Sequence, residues 1–570
     1  MKIKTCSFLI ICLLLIVCSC KNKTTQSIYK SEIYNENELS QAMQTFLSDS
    51  LNNIDTIFFY CYKNQHYKPF FIDTNGITKV FNDYYSQLSQ IENDGLSPEK
   101  FNFKQIGILS EKILQNPDIQ KDSLALFDYI TLKSYVDLCA ALQFGAINPK
   151  TAGLTNYFFD TEQKSDAFVE KSINNIKNHL LIYIDSLSQH SENYNLIKQE
   201  RKFYVNLSDS VFEKIPTLAE KKTIKFGEKH SDMPLIAKRL MLTNEITATD
   251  ADSALNYHKF DSLLLKSINV FQKKRGLMID SEIGNNTIRE LNIPFKDLIK
   301  KIDVNLERMR WISTIVKDDK YIRVNIANQI LTAYRADSVA IQMKVCVGAE
   351  PDHLTPFIHS QIYDITLNPL WRVPQSIIID EISTKAAPAK YIRANRMKVF
   401  RAGAEQNPDS INWRAINKNF CPYTIAQDSG SFNALGRIKF NMLNNFSVYL
   451  HDTNAKSAFR LLKRNISHGC VRVEMPLELA YFCLPEMTGD KFNLIRDKIL
   501  FSIERQPISN EGKRLKQASP NSLKIKNIAV KPQIPVLLEY YTVSVDENGQ
   551  VVFCNDIYNV DEELYNILCR

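Results

Sequence analysis

Near residue 320 the hydrophobic period of this 570-residue chain changes from helical to two. In "DSLALFDYITLKSYVDLCAALQFGAINP", Leu124, Phe127, Tyr135, Leu138 and Leu142 recur at three- and four-residue steps along one helical face. Gly145 and then Pro149 end that helix. Downstream, "YIRVNIANQILTAYR" alternates Ile322, Val324 and Ile326, and "IQMKVCVG" alternates Ile341, Met343, Val345 and Val347. A chain this long exceeds one hydrophobic core, and the two periods demand different layers. The expectation is a multidomain α+β protein, helical first and strand-rich later.

The helical part divides. Residues 20–45 are polar and read as a tether, and 46–230 as a helical scaffold. Residues 231–296 form a small helical unit, with Leu264, Ile268 and Phe271 on one stripe ending at Gly276 and a second helix closed by Pro294. A linking helix is expected over 297–320 and the strand-rich domain over 321–503. Inside that domain, residues 376–430 are irregular, partly helical and too long for a plain loop, so they read as a lid-like insertion. Residues 504–570 form a C-terminal segment ending in two strands joined at Glu547–Asn548–Gly549.

The net charge of +7 is modest and dispersed. With no Lys/Arg block and no aromatic-interleaved basic patch, nucleic acid is excluded as a partner class. The first residues, "MKIKTCSFLIICLLLIVCSCKNK", pair basic residues with an apolar run too short to span a bilayer, the pattern of a signal peptide over 1–19. Val17-Cys18-Ser19-Cys20 resembles a bacterial lipobox, which implies cleavage before Cys20 and lipid attachment to its sulfur. The expected location is periplasmic, anchored by lipid to an envelope membrane. Of 12 cysteines, eight remain in the mature chain beyond Cys20, with no CxxC and no tight framework.

One of the eight stands in "NISHGCVRVEMP". A cysteine attacks a carbonyl as thiolate, so Cys470 needs a lowered pKa or a base within reach. His468 lies two residues before it, and His451 nineteen residues upstream at the end of "VYLHD", sharing a strand face with Tyr449. Gly469 allows a tight bend, and the amides of Gly469 and Cys470 can face a developing oxyanion. Arg472 is suited to a substrate carboxylate. No further Cys or His lies close in sequence, so no metal site is expected.

The combination resembles the signature of YkuD-type L,D-transpeptidases. "NPLWRVP" (369–375), "NALGRIKFNM" (433–442), "VYLHDT" (448–453) and "SHGCVRV" (467–473) occur in the order of that family's large YcbB-like periplasmic members. "FQKKRGLMIDSEIGNNTIRELN" resembles a type 1 peptidoglycan-binding domain. The resemblance implies Cys470 as nucleophile, His451 as general base, His468 in support, Gly469 at the oxyanion, and the backbone carbonyl of Asp452 orienting the imidazole. Arg472, Trp371, Tyr449 and Ser467 become candidate substrate-binding residues. Implied too are peptidoglycan stem peptides as partners, 3→3 cross-linking through a thioester, no cofactor, and acylation of Cys470 by carbapenems. The alternatives are an L,D-carboxypeptidase or endopeptidase on wall peptides, or a non-catalytic wall-binding lipoprotein.

Overall fold

The computed structural model describes residues 33–569, apart from 50–53, 117–118, 189, 221, 248–257, 312–318 and 337. The expected signal segment, residues 1–19, and Cys20 lie outside the described residues. The architecture is helical through residue 311 and β-rich from 320 onward, as the change of period requires.

The scaffold is organised around one helix, Lys121–Phe144, which is buried on nearly every side. Its interior carries a carboxylate. Asp128 accepts from the Tyr62 hydroxyl at 2.7 Å and from the Phe70 and Phe71 amides at 3.0 and 2.6 Å. These bonds replace water for a group that would otherwise be costly to bury. Burial still dominates and pushes its carboxyl up to about 6.

The small unit holds a separate core on helices Met233–Leu242, Ser262–Lys274 and Asn285–Leu291. Asp261 caps the second helix by accepting from the Leu263 and Leu264 amides. This core also takes in Ile215 and Ile224, with Ile224 bridged to Ile283, so the unit reaches back before residue 231. The next helix, Phe295–Arg310, ends earlier than the expected 320 and does more than link. Glu307 accepts from Trp311 at 3.0 Å, from the Ile147 amide at 2.8 Å and from Arg310 at 2.6 Å. Arg310 also donates to the Asp94 carbonyl and the Tyr194 hydroxyl at 2.8 and 2.9 Å. Arg308 reaches Tyr157 at 2.8 Å and Asp561 at 2.6 Å. One helix turn therefore joins the scaffold to the C-terminal segment.

The β-rich domain is a nine-stranded sheet. In chain order its strands are β1 (Lys320–Asn325), β2 (Ile330–Arg335), β3 (Ser338–Gly348), β4 (Ile358–Leu367), β5 (Ile438–Met442), β6 (Leu450–His451), β7 (Asn465–Ser467), β8 (Val471–Val473) and β9 (Asn527–Glu539). Their spatial order is β7-β3-β8-β6-β5-β4-β9-β1-β2, and β2 pairs back onto β3, closing the sheet on itself. Ile322, Val324, Leu331, Val345, Ile365, Phe440, Leu450, Val471 and Val536 fill the interior. The alternation of branched apolar residues seen in the sequence is thus the inward half of a closed barrel. Closure leaves no free edge between β2 and β3.

The C-terminal segment departs from a simple two-strand ending. β9 lies inside the sheet, antiparallel to β4 and parallel to β1. A short hairpin, Val543–Val545 with Val551–Phe553, follows, and helix Asp561–Leu568 packs against Phe295–Arg310. Residues 376–430, read as irregular, belong to a folded subdomain with its own four-stranded sheet and its own core around Ile378, Ile392, Val399 and Ile425. Its sheet begins at Trp371–Arg372. The strands Met397–Arg401, Ala404–Gln406 and Tyr423–Gln427 are too short for their alternation to stand out from flanking turns.

Candidate active site

The strand register builds the site. Lys439 on β5 pairs with His451 on β6, His451 with Arg472 on β8, and Arg472 with Cys346 on β3. Their neighbours Phe440, Leu450, Val471 and Val345 point into the barrel, so this row points outward. Cys346 is sealed beneath Ala458 and Phe459. The other three open onto a cleft of about 1020 Å³ between barrel and insertion, lined also by Trp371, Tyr449, His468 and Cys470.

Cys470 enters this row from the turn before β8. The Val471 amide donates to the Tyr449 carbonyl at 3.1 Å, which sets residues 470 and 449 side by side. Strand parity then puts Cys470 with Arg472, and Tyr449 with His451, on the cleft face. The turn depends on Gly469, whose φ of +102° lies in the left-handed region that favours glycine. Ser467 holds it: its hydroxyl donates to the Cys470 carbonyl at 2.6 Å and accepts from the Gly469 amide at 3.2 Å. Ser467 is buried and holds the loop, and it also lines the cleft. The Gly469 amide is already engaged, which leaves the Cys470 amide as the oxyanion donor this loop can offer.

His451 is held in one orientation. Its Nδ1–H donates to the Asp452 carbonyl at 2.5 Å, leaving Nε2 free to accept a proton. The Asp452 side chain faces the other way. It accepts from the Arg437 amide at 2.8 Å and the Thr453 amide at 2.7 Å, and pairs with Lys456. Gly436 makes room for it, since a Cβ there would lie 2.3 Å from the Asp452 carboxyl carbon. The "NALGR" turn is therefore the clamp that fixes Asp452 and, through it, the imidazole. Upstream of that turn, "QDSGSF" is pinned by Gln427, which accepts from the Ala434 amide at 2.9 Å and donates to the Asn395 carbonyl at 2.9 Å.

The electrostatics describe a resting site. Burial, then the Arg472 charge, pulls the His451 pKa down to about 3. Burial raises the Cys470 thiol; hydrogen bonding with Tyr449 and the charges of Lys439 and Arg472 lower it in part. The ground state is thus a neutral imidazole beside a protonated thiol. The thiol donates to the Ser447 carbonyl at 3.8 Å, and among the described residues no hydrogen bond joins it to His451.

The remaining candidates divide. Trp371 both lines the cleft and packs on the insertion's core. Arg472 lines the cleft, while nearby Glu474 accepts from the Lys344 amide at 3.1 Å. His468 pairs with Glu381 of the insertion. Lys439, which the sequence reading passed over, stands 4.0 Å above the Tyr449 ring, and burial lowers its pKa. Its signal was present in "IKFNM", where alternation sends Lys439 outward next to His451. His353 and Glu381 had no such signal, because loops and the insertion bring them in.

A helical scaffold joined to a closed barrel with a thiol and an imidazole on one outward row defines a multidomain α+β protein with an enzyme-like catalytic domain. Residues 319–494 match the L,D-transpeptidase catalytic domain of the YkuD family, and residues 59–200 match the Scaffold domain, so the chain carries both domains. A protein of Haemophilus influenzae named "Putative L,D-transpeptidase" is 29% identical over 270 residues, 47% of this chain and 49% of that protein. The match spans about half the length of that relative. Among solved structures, the L,D-transpeptidase of Xylanimonas cellulosilytica is 12% identical, covering 56% of this chain and all of that one, with a TM-score of 0.16. The Ldtfm–avibactam carbamoyl enzyme is likewise 12% identical, covering 51% and 77%, with a TM-score of 0.18.

Proposed function

We propose that this protein is a cysteine L,D-transpeptidase that forms 3→3 peptidoglycan cross-links through a thioester on Cys470. The observation that carries the reading is the outward row of β5, β6 and β8, which sets His451 and Cys470 on the face that lines a cleft of about 1020 Å³.

In the mechanism, Nε2 of His451 takes the thiol proton as the donor stem docks and the thiolate attacks the carbonyl of the stem's third residue. The Cys470 amide faces the oxyanion. Collapse expels the terminal D-Ala, whose amine leaves with the proton held on His451. The side-chain amine of a second stem then attacks the thioester, passing its proton to His451 and restoring the thiol. Arg472 binds a donor carboxylate, and Trp371 and Tyr449 line the groove. A neutral imidazole at rest suits this order of events, since proton transfer is then coupled to attack. The insertion covers one wall of the cleft and limits water, which favours the amine acceptor. With water as acceptor the same site is an L,D-carboxypeptidase. Lipid anchoring at Cys20, a periplasmic location and wall binding by the small helical unit complete the proposal.

The test is incubation of the protein with tetrapeptide-bearing wall fragments, read by mass spectrometry. Cross-linked dimers that have lost D-Ala support the transpeptidase. Tripeptide monomers alone would assign the carboxypeptidase instead. A carbapenem is expected to add its mass to the intact protein at Cys470, and absence of that adduct counts against the site.

A further inference from the structure

We propose that His353, Glu381 and His468 form a binding site for a divalent transition-metal ion of the zinc class, which ties the insertion to the loop carrying Cys470. The three residues come from distant parts of the chain. His353 lies between β3 and β4, Glu381 in the turn Ile378–Ile382 of the insertion, and His468 between β7 and β8. Their ligating atoms all lie within 4.8 Å of one another. Zinc bonds of about 2.0–2.2 Å place tetrahedral ligand atoms roughly 3.3–3.6 Å apart, so side-chain adjustment of about an ångström completes the set.

The geometry already leans that way. Nε2 of His468 meets a carboxylate oxygen of Glu381. The rings of His353 and His468 stand 4.5 Å apart at 49°, a tilt that lets two nitrogens converge on one point where flat stacking would not. Two imidazoles and one carboxylate suit zinc and its first-row neighbours, whereas calcium and magnesium prefer oxygen alone. Cys470 is not a member of the cluster, so the proposed ion and the nucleophile are separate.

Two of the three ligands are pre-positioned on one body. The Thr355 hydroxyl donates to the Gly469 carbonyl at 2.8 Å and accepts from the Gly348 amide at 2.8 Å, stitching the His353 loop to the His468 loop. The His353 amide donates to the Ala349 carbonyl at 3.0 Å. Gly348 leaves room for this crossing, since a Cβ there would lie 1.8 Å from the His353 carbonyl oxygen. Glu381 arrives from the opposite wall, on a turn whose Ile378 and Ile382 are anchored in the insertion's core. The His468 and Glu381 side chains are 35% and 41% exposed, which gives an ion access and leaves a coordination position for water. Bound there, the ion would bridge both walls of the cleft next to the nucleophile turn.

The experiment uses the full chain with Cys470→Ser, so that the thiolate takes no part, after chelator treatment. Titration with Co²⁺, followed by its visible absorption, and competition of Zn²⁺ against a chromophoric chelator should give one saturable equivalent. His353→Ala and Glu381→Gln should each weaken binding at least tenfold. Hydrogen exchange across the insertion's 378–382 turn should slow with Zn²⁺ in the parent and not in Glu381→Gln. No saturable uptake at micromolar metal, or uptake that survives both substitutions, overturns the site and leaves only a histidine–carboxylate pair. Uptake without any change in exchange overturns the tie to the insertion.

Discussion

The turn of helix around Glu307 and the outward row around His451 are made of similar polar parts arranged to opposite ends. Glu307 and Arg310 are wholly buried, and the bonds to Trp311, Ile147, Asp94 and Tyr194 turn their charge inward on the junction. On the row, Lys439, His451, Cys470 and Arg472 share a face but face a cleft rather than one another. The buried cluster holds helix Phe295–Arg310 against the scaffold in one arrangement. The open one leaves donors and a proton acceptor available to a ligand. Removing a member should therefore cost stability in the first region and chemistry in the second.

The sharpest separation comes from the nucleophile. Cys470→Ala should lower turnover of tetrapeptide stems about a thousandfold or more and abolish the carbapenem adduct, with the melting temperature unmoved. A variant that kept its activity would remove the row from the chemistry altogether. His451→Gln should follow, slowing acylation by roughly 10²–10⁴ while the protein stays folded, as single-turnover mass spectrometry can read. Glu307→Ala inverts the pattern. It leaves Arg310 buried without its carboxylate, at about 3–5 kcal/mol in denaturant unfolding, with the intrinsic rate of the folded fraction preserved.

Two smaller effects test the electrostatics. Because burial raises the Cys470 thiol and His451 stays neutral above about 3, iodoacetamide labelling should climb with pH through the alkaline range, without a step near 6–7. Lys439→Met removes a charge that favours the thiolate, so labelling at a fixed neutral pH should slow by roughly several-fold. In the scaffold, Asp128 runs against the usual carboxylate sign. Its folded value near 6 lies above the ordinary value of about 3.9, so its stabilising contribution is complete below about 4 and lost as pH rises through about 6. Asp128→Asn should flatten that part of the stability profile, and an unchanged profile would relocate the dependence to other groups.

Much of this was written in the sequence because it depends on short-range order. Parity along a strand fixes the faces of Tyr449 and His451, and the helical stripes and the barrel's inward residues follow from period alone. What escaped depends on contacts between distant segments. The engagement of the Gly469 amide by Ser467, the thiol resting on the Ser447 carbonyl, and the meeting of His353 with Glu381 are tertiary facts. The insertion's sheet escaped for a different reason, since strands of three to five residues leave too few alternations to separate from turns. The charged side of helix Phe295–Arg310 gave no sign of being buried, because charge ordinarily marks the solvated face.

The position of β9 bears on when this protein can work. Asn527–Glu539 fills the place between β4 and β1, so the barrel has a gap in its wall until that stretch arrives. A nascent chain carrying His451 and Cys470 therefore has its reactive side chains well before it has the frame that aligns them. The frame around that row is therefore complete only once residues 527–539 have paired with β4 and β1.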